Sequence, residues 1–385
     1  MVLNEASSHS WTVIILVMAS KPKWWARKYS SLFLSFILCN AVALAKDPVL
    51  APLPAPVSNN TVAISYGATA GVKLFSFMGI GPKKTWDALT TSAYEMDLRA
   101  GTWEERRPVP GVTGRLAASA VALGGQVFIF GGYVVDEHGE ETTLSDVNVY
   151  VPFEDRYYRA KDIPVPVDDA VVGLYRDRYI YLIGGWSKNE AVRNVQVYDT
   201  EKDQWLQATP IPGTPVFGHA GAILGDTIIY VDGAYKNPDS KGPKFLPSSE
   251  CWMGRLPNPK KKGDITKIEW KKLPPHPGNA HYRIGAGAEQ PGKKASKIYF
   301  SGGTDNPYNY NGIGYNGEPA EPSPVTFAFD VRAEKWQTIN DNTPNPTMDH
   351  RGLLATHRGL LLIGGMEKGQ KVTGKVTVVN AGGKK

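Results

Sequence analysis

The sequence FIFGGY at residues 128–133 decides the fold, because close variants of it recur along the chain. Each copy is a short apolar stretch that ends at a corner of small residues, and four of the six corners contain two glycines, which allow a positive φ. Neighbouring corners lie 48 to 70 residues apart. A strand-rich repeat of about 50 residues is typical of the blades of a β-propeller. The copies are FSFMGIG at 75–81, FIFGGY at 128–133, YLIGGW at 181–186, YVDGAY at 230–235, YFSGGT at 299–304 and LLIGGM at 361–366.

Each copy also contains stretches that are predicted to be strands. In the second copy these are residues 116–123, 126–130, 146–150 and 156–159, which are rich in β-branched and aromatic residues and are separated by turn-forming residues. Residues 46–385 are therefore predicted to form one all-β, six-bladed propeller. The predicted outer strands carry large aromatic residues, which we interpret as packing between blades. These are Trp103, Tyr157 or Tyr158, Trp205, Trp270 and Trp336.

The sixth copy lacks an outer strand with an aromatic residue after residues 375–379. The sequence LAPLPAP at 50–56 is similar to the segment that follows an outer strand, such as ATPIPG at 208–213. Residues 48–57 are therefore predicted to form the fourth strand of the last blade. This strand would close the ring and leave no open sheet edge.

Residues 1–45 have the pattern of an export signal. A basic stretch at 21–28 precedes an apolar run at 32–38, and the small residues at 43–45 fit a cleavage site. The apolar run is short for a membrane span, although an uncleaved anchor is the alternative, and Met18 is an alternative start. We expect a periplasmic or secreted protein that is not held in the membrane after cleavage.

Charge and cysteine content exclude several classes of partner and site. The formal net charge is +6, and residues 1–45, with four basic residues and one acid, account for +3 of it. So mild an excess predicts no nucleic-acid partner. Cys251 is the only cysteine beyond residue 45, which excludes an intrachain disulfide and a cysteine-based zinc cluster. The sequence lacks P-loop, dinucleotide-binding, G-x-S-x-G and H-E-x-x-H motifs, and we predict no cofactor and no metal.

Two long insertions are predicted to crowd one face of the propeller. They occupy residues 235–256 and 304–324, and both follow the second strand of a repeat. In an antiparallel blade that position lies on the same face as the start of the first strand. Loops on a rigid scaffold often carry function, and Arg, His, Asn and aromatic side chains suit a polar ring such as a sugar. The candidate ligand-binding residues at this mouth are Arg115, Asp168, His219, Tyr235, Lys236, His281, Arg283, Asn306, Tyr308, Tyr310, His350 and Arg351.

Several of these residues also have a structural interpretation. His219, His281 and His350 recur at one position of successive repeats, which favours a bond to a neighbouring blade over a ligand, acid–base or metal role. Asp168 and Asp169 form a carboxylate pair that could transfer a proton, although adjacent side chains often point apart. The insertion at 304–324 is either a binding loop or a flexible lid.

The repeats resemble kelch propellers, and among these the chain looks most like the bacterial periplasmic N-acetylneuraminate epimerases, also called sialic acid mutarotases. The resemblance rests on the export signal, the closing N-terminal segment, the composition of residues 306–318 and the sequence HAGAILGDTIIYVDGAYK at 219–236. It implies a six-bladed propeller that acts on a sugar, with a glutamate as proton acceptor directly after the fourth corner glycine. That position is Ala234 here, so the remaining catalytic candidates are Asp232 and His219.

The sequence leaves two functions open. The first is an exported kelch propeller that binds a sugar, or acts on it as a mutarotase or epimerase of the sialic acid kind. The second is a non-catalytic module that uses the same mouth to hold a protein or a peptide.

Overall fold

The structure, a computed structural model, describes residues 48–381 except 68–70, 112, 240, 259–262, 291 and 293. The predicted export signal at 1–45 lies outside the described residues. Within the described part of the chain, no helix has the length and the apolar character that a membrane crossing requires.

The described residues form β-strands and two short 3-10 helices, Trp86–Ala88 and Lys368–Gln370. The strands are, in chain order, β1 (Thr61–Gly67), β2 (Gly71–Phe77), β3 (Ala93–Asp97), β4 (Trp103–Arg106), β5 (Ser119–Leu123), β6 (Gln126–Phe130), β7 (Tyr133–Val135), β8 (Glu141–Thr143), β9 (Val147–Val151), β10 (Arg156–Arg159), β11 (Val171–Tyr175), β12 (Tyr179–Ile183), β13 (Trp186–Ser187), β14 (Glu190–Ala191), β15 (Val195–Asp199), β16 (Gln204–Ala208), β17 (Ala220–Leu224), β18 (Thr227–Val231), β19 (Ala234–Lys236), β20 (Phe245–Pro247), β21 (Cys251–Arg255), β22 (Glu269–Leu273), β23 (Gly285–Ala288), β24 (Lys297–Ser301), β25 (Thr326–Asp330), β26 (Lys335–Asn340), β27 (Leu354–Thr356), β28 (Gly359–Ile363), β29 (Met366–Glu367), β30 (Lys371–Val372) and β31 (Val376–Val379).

These strands form six antiparallel blades. Blade 1 has the strand order β1-β2-β3-β4, and blades 2 to 5 repeat this order with four strands each. Blade 6 has the order β27-β28-β31 among the described residues. The first strands of successive blades contact one another, so they line the axis of a ring. The predicted all-β, six-bladed propeller is therefore confirmed.

Four blades carry a small hairpin directly after their second strand, and blade 5 carries the loop at 304–324 in the same place. Because strands one and two are antiparallel, these elements project from the face on which the first strands begin. We call this face the insertion face. The hairpins are β7–β8 in blade 2, β13–β14 in blade 3, β19–β20 in blade 4 and β29–β30 in blade 6.

Apolar side chains fill the space between neighbouring blades. Phe75 and Phe77 of blade 1 pack in one cluster with Ala120, Ile129 and Tyr150 of blade 2. Burying one such aromatic side chain contributes roughly 1.5–3 kcal/mol. Both faces of each blade are buried in this way, which explains why the second and third strands read as continuous apolar runs.

A belt of hydrogen bonds at the circumference joins each blade to the one before it. In blades 2 to 5 the aromatic residue of the fourth strand donates to a backbone carbonyl in the segment that follows the preceding outer strand, and in blade 1 it donates to a carbonyl of residues 48–57. The predicted packing role of these residues is thus confirmed, and each of them also makes a hydrogen bond across the seam. The pairs are Trp103 Nε1 to Ala51 O at 3.0 Å, Tyr157 Oη to Arg107 O at 3.0 Å, Trp205 Nε1 to Lys161 O at 2.9 Å, Trp270 Nε1 to Thr209 O at 3.3 Å and Trp336 Nε1 to Pro274 O at 2.9 Å.

The N-terminal segment closes the ring, but in a different role from the predicted one. The amides of Leu53 and Val57 donate to the carbonyls of Gly374 (2.7 Å) and Thr373 (3.2 Å), which precede β31. Residues 48–57 form no regular strand, because four of the ten are prolines, which lack the amide that a ladder needs. The carbonyl of Ala51 accepts the hydrogen bond from Trp103, as carbonyls of the segments between blades do elsewhere in the belt. Residues 48–57 therefore take the place of the segment that connects one blade to the next, and they do not form the predicted fourth strand of blade 6.

Candidate functional site

One pair of residues from each blade forms the rim of the mouth on the insertion face. In every blade a residue that leads into the first strand pairs, by an isolated antiparallel bridge, with a residue just after the corner. All of these residues except Trp186 are buried, and most are apolar or aromatic. The rim pairs are Ser58–Ile80, Leu116–Tyr133, Asp168–Trp186, Phe217–Ala234, Tyr282–Thr304 and Met348–Met366.

The next residue in each blade belongs to a ring around the axis, which we call the axial ring. All six members have a positive φ, between 51° and 71°. Backbone amides join neighbours around the ring, as in Arg283 N to Gly218 O at 2.8 Å and Gly218 N to Asp169 O at 3.2 Å. A positive φ is uncommon for residues other than glycine, yet five of the six members carry a side chain. The members are Asn59, Ala117, Asp169, Gly218, Arg283 and Asp349.

Charged side chains of the axial ring neutralise one another at the centre. Arg283 places one Nη 2.9 Å from Asp169 Oδ2 and the other 3.1 Å from Asp349 Oδ1. Arg351 Nη1 lies 2.5 Å from Asp169 Oδ1, and Arg351 Nε donates to Asn59 Oδ1 at 3.1 Å. Two guanidinium groups and two carboxylates therefore form a closed network whose side chains are almost fully buried.

The two adjacent aspartates of blade 3 differ in their surroundings. Burial alone would raise the pKa of Asp169, but the charges of Arg283 and Arg351 outweigh it and hold the pKa below its ordinary value. Burial and the charge of Asp169 raise the pKa of Asp168 well above its ordinary value. The Asp168 carboxylate accepts a bond from Thr143 Oγ1 at 2.8 Å, beneath the hairpin of blade 2. The pair thus divides into an ion-paired and a hydroxyl-bound carboxylate.

Aromatic rings cover the charged network on the side of the insertion face. The guanidinium carbon of Arg283 lies 5.0 Å from the ring centroid of Tyr282 and 5.4 Å from that of Tyr308, distances typical of cation–π contacts. The rings of Tyr282 and Phe217 lie 5.6 Å apart and meet edge to face. Tyr282 and Tyr308 are fully buried. The mouth predicted to be a polar pocket is therefore filled by packed aromatic side chains.

The loop at 304–324 folds over this aromatic layer. Asn306 Nδ2 donates to the Glu318 carbonyl at 3.1 Å, which ties the two ends of the loop together. Gln370, at the blade 6 hairpin, donates to the carbonyl of Ala320 at 2.8 Å. Tyr310 packs against the cluster that contains Leu116. The loop is thus an ordered cover of the mouth.

A channel of about 570 Å³ runs along the axis on the other side of the charged network. Its wall consists of the first strands and of the loops at their far ends, such as residues 123–125. At its inner end the channel is lined by Asp169, His219, His350 and Arg351. Small and apolar side chains line most of the wall between these residues and the far end, where Tyr66, Arg176, Asp177 and Glu289 also line the channel.

Arg115 does not reach the mouth. Its Nη2 donates to Asn148 Oδ1 at 2.7 Å and its Nε lies 3.5 Å from the Met78 sulfur, inside the seam between blades 1 and 2. Burial lowers the pKa of Arg115 to about 10. Tyr235 is half-buried and Lys236 is exposed, both on the blade 4 hairpin. These three predicted residues lie apart from the axial network.

The three histidines do not occupy one repeat position, and that prediction was wrong. His219 and His350 each follow an axial-ring residue, whereas His281 precedes a rim residue and so lies three positions earlier in its repeat. His219 Nε2 donates to the Ile183 carbonyl of the preceding blade at 2.9 Å, and His350 Nε2 lies 2.9 Å from Thr347 Oγ1. Burial lowers the pKa of both to about 4. These two histidines are therefore neutral at pH 7.

The fourth corner carries the two catalytic positions considered above. Ala234 is fully buried and pairs with Phe217 at the rim. The Asp232 carboxylate turns away from the mouth and lies 2.9 Å from His276 Nε2. No pattern in the sequence pointed to His276, and the sequence-based prediction also missed Asn59 and Asp349. Polar residues beside the start of a first strand are the signal that could have found the latter two.

A Kelch motif matches residues 175–212 of this chain. Kelch-like protein 15 of Gallus gallus is 30% identical over 115 residues, which cover 30% of this chain and 23% of that protein. Kelch-like protein 36 of Bos taurus is 32% identical over 119 residues, covering 30% of this chain and 19% of that protein. The chain therefore spans about a fifth of the length of these curated relatives.

A solved structure described as "Structure of YjhT" is similar in fold. Its TM-score is 0.66 at 18% sequence identity, and the match covers 86% of this chain and 96% of that chain. The protein is thus a six-bladed β-propeller with a Kelch motif. The likeness supports the kelch propeller and does not extend to the particular family of sialic acid mutarotases.

Proposed function

We propose that this propeller is a non-catalytic module that binds a protein or peptide segment on its insertion face. The observation that carries the proposal is the filled mouth, in which all rim residues except Trp186 are buried and Tyr308 covers Arg283. A sugar pocket at this place would need polar groups that are open to solvent. The hairpins and the ordered loop instead form a broad surface, as macromolecular partners require.

The surface that suits a partner best lies over blades 5, 6 and 1. Lys84 Nζ donates to the Gln370 carbonyl at 3.0 Å, which joins the loop of blade 1 to the hairpin of blade 6. Trp86 and Ile313 stand on this surface with 47% and 38% of their area exposed. Exposed tryptophan is among the residues that contribute most to binding energy in interfaces. We call this the recognition surface, and it comprises residues 81–89, 306–321 and 367–372.

Selection from a displayed peptide library, followed by affinity measurement, tests the proposal. We expect Trp86→Ala to weaken an enriched peptide at least about tenfold, which corresponds to about 1.4 kcal/mol. Phe153→Ala is the matched control, because Phe153 is 99% exposed in the turn between β9 and β10, on the opposite face. Failure to enrich any peptide, or equal affinity for the wild type and the Trp86 variant, would contradict this function.

A sugar ligand is the second candidate, and the channel is the feature that favours it. Its volume of about 570 Å³ falls in the range of small-molecule sites, and Arg351 and His219 lie at its inner end. NMR of N-acetylneuraminate with and without the protein tests both binding and mutarotation. Line broadening would support a sugar binder, and faster anomer equilibration would support a mutarotase. Unchanged lines and rates would exclude this sugar.

We also propose that the protein is exported to the periplasm or secreted, on the basis of the signal pattern at 1–45. N-terminal sequencing of the protein recovered outside the cytoplasm tests this. A mature chain that begins at residue 46 is the expected result, and retention of residues 1–45 would contradict it.

A further inference from the structure

A buried cluster of metal-binding residue types lies in blade 4, away from the channel and the recognition surface. The Asp232 carboxylate, the Cys251 thiol and an imidazole nitrogen of His276 all lie within 4.8 Å of one another. All three residues are at least nine-tenths buried. They come from the fourth corner, the start of β21 and the connection to blade 5. Three elements that are far apart in sequence therefore bring a carboxylate, a thiol and an imidazole together.

Asp232 occupies a backbone position at which four of the other five corners carry glycine, and the first corner carries Met78 with φ 56°. The corresponding residues Gly131, Gly184, Gly302 and Gly364 have φ between 55° and 77°, and Asp232 has φ 63°. A residue with a Cβ is strained in this region by about 1–2 kcal/mol. Met78 adopts the same conformation, so the backbone alone does not require a ligand here. The buried Asp232 carboxylate accepts a hydrogen bond from the backbone amide of His281 at 2.9 Å, which fixes its orientation in the cluster.

The contacts of His276 leave a place for a cation. Its Nδ1 lies 2.9 Å from the Pro277 carbonyl, and its Nε2 lies 2.9 Å from both carboxylate oxygens of Asp232. Both neighbours are acceptors, whereas a neutral imidazole has one N–H to donate. The imidazole therefore needs either a second proton or a metal ion on Nε2, and a bound ion would move Nε2 and the carboxylate apart from this hydrogen-bond distance. An Nδ1–H bound to a backbone carbonyl is the usual way in which proteins orient a ligating histidine.

A second imidazole faces the same carboxylate with an unused nitrogen. His281 Nδ1 lies 3.6 Å from Asp232 Oδ2, and its side chain is 2% exposed. That nitrogen has no hydrogen-bond partner, while His281 Nε2 is paired with Ser323 Oγ at 3.0 Å. An unpaired buried nitrogen that faces a carboxylate is unfavourable in the absence of a cation.

We propose that Asp232, Cys251 and His276 bind a divalent cation of the zinc class, with His281, which lies outside this group of three but near Asp232, moving in as the fourth ligand. One thiolate, two imidazoles and one carboxylate are a ligand set that suits zinc in tetrahedral coordination, in which ligand atoms lie roughly 3.5 Å apart. The site is closed by protein on every side, so its role is structural. The ion joins the corner of blade 4 to the connection that leads into blade 5. The thiol proton leaves when the metal–sulfur bond forms.

Metal analysis of untagged full-length protein, purified without chelator, tests the proposal. We expect about one zinc per chain, and after removal of zinc we expect Co²⁺ to bind with the absorption of a thiolate–cobalt bond. Cys251→Ser preserves the volume of the side chain and should abolish that absorption and weaken zinc binding by about 10-fold or more. His350→Gln, at a buried histidine outside the cluster, should retain stoichiometric metal.

Two results would overturn the proposal. One is wild-type protein that carries no zinc above background and whose melting temperature is unchanged by added Zn²⁺. The other is Co²⁺ binding that is identical in the wild type and in the Cys251→Ser variant, which would place the ion elsewhere. If zinc is lost from a variant, circular dichroism at matched temperature separates loss of the site from loss of the fold.

Discussion

Truncation of Leu53 is the sharpest test of how the ring is closed. Leu53 is 4% exposed and packs in one cluster with Leu361 and Ile363 of blade 6 and with Tyr94 and Met96 of blade 1. Leu→Ala substitutions in well-packed cores cost about 2–5 kcal/mol, through lost transfer free energy and the cavity left behind. Residues 48–57 form no regular strand and can relax around the cavity, so we expect Leu53→Ala to cost about 2–3 kcal/mol.

Equilibrium urea unfolding, followed by tryptophan fluorescence, measures this loss. Val49→Ala is the matched control in the same segment, because Val49 is 90% exposed and its truncation should change the free energy of unfolding by less than about 0.5 kcal/mol. A free energy of unfolding for Leu53→Ala that lies within that margin of the wild type would refute the closing role of residues 48–57. Equal losses for both variants would refute it too.

Three further predictions concern the axis, a corner and the buried histidines. Arg283→Met should cost about 3–5 kcal/mol in urea unfolding, because it removes one of the two guanidinium groups that neutralise the buried carboxylates of Asp169 and Asp349 and leaves only Arg351. Adding Asp169→Asn should restore part of the loss, and an unchanged double variant would contradict the pairing. Gly131→Ala should cost more than about 2 kcal/mol, because Gly131 has φ +55° and an added Cβ would lie 2.1 Å from the Val167 carbonyl oxygen. The control Gly125→Ala, at a residue with φ +80° and open space around it, should cost only about 1 kcal/mol. Equal melting temperatures of the two variants would argue against the clash. Burial lowers the pKa of His350 from 6.5 to about 4, so between these pH values the unfolded chain binds a proton that the folded chain does not. The resulting stability is present above pH 6.5 and is lost as the pH falls toward 4. His350→Gln should therefore flatten the dependence of the free energy of unfolding on pH in this window, and an unchanged slope would contradict this prediction.

Local periodic features of the sequence were sufficient to predict the fold. The corner glycines indicate turns that need a positive φ, and apolar strands of regular length indicate buried strands. Both features are local, so they can be recognised without knowing which blades are neighbours. The outer aromatic residues Trp103 and Trp336 were recognised for the same reason, because each repeat needs one at the same seam. Their hydrogen bonds to the preceding blade could not be foreseen, since they depend on a segment about 50 to 60 residues away.

The site was less predictable, because the residues leading into the first strands share a backbone position and not a residue type. The rim positions hold Ser, Leu, Asp, Phe, Tyr and Met in successive blades. A choice by polarity therefore selected Arg115, which lies one residue before the rim and turns into a seam. The connection from the fourth strand to the rim has the same length in blade 4 as in blade 3, so His281 and His219 were wrongly matched by residue type, although His281 precedes its rim residue and His219 lies two residues after its own. A one-residue error here exchanges a side chain at the mouth for one inside a blade.

The way in which residues 48–57 complete the circle has a consequence for assembly. The chain is continuous across the other seams, whereas the described parts of blades 6 and 1 meet through non-covalent contacts, among them those of Leu53 and Val57. A second molecule presents the same acceptors, Gly374 and Thr373, to any such segment that has been released. Two propellers that exchange their N-terminal segments would reproduce the contacts of Leu53 and Val57 with blade 6, so a domain-swapped dimer is the oligomer that we expect at high concentration.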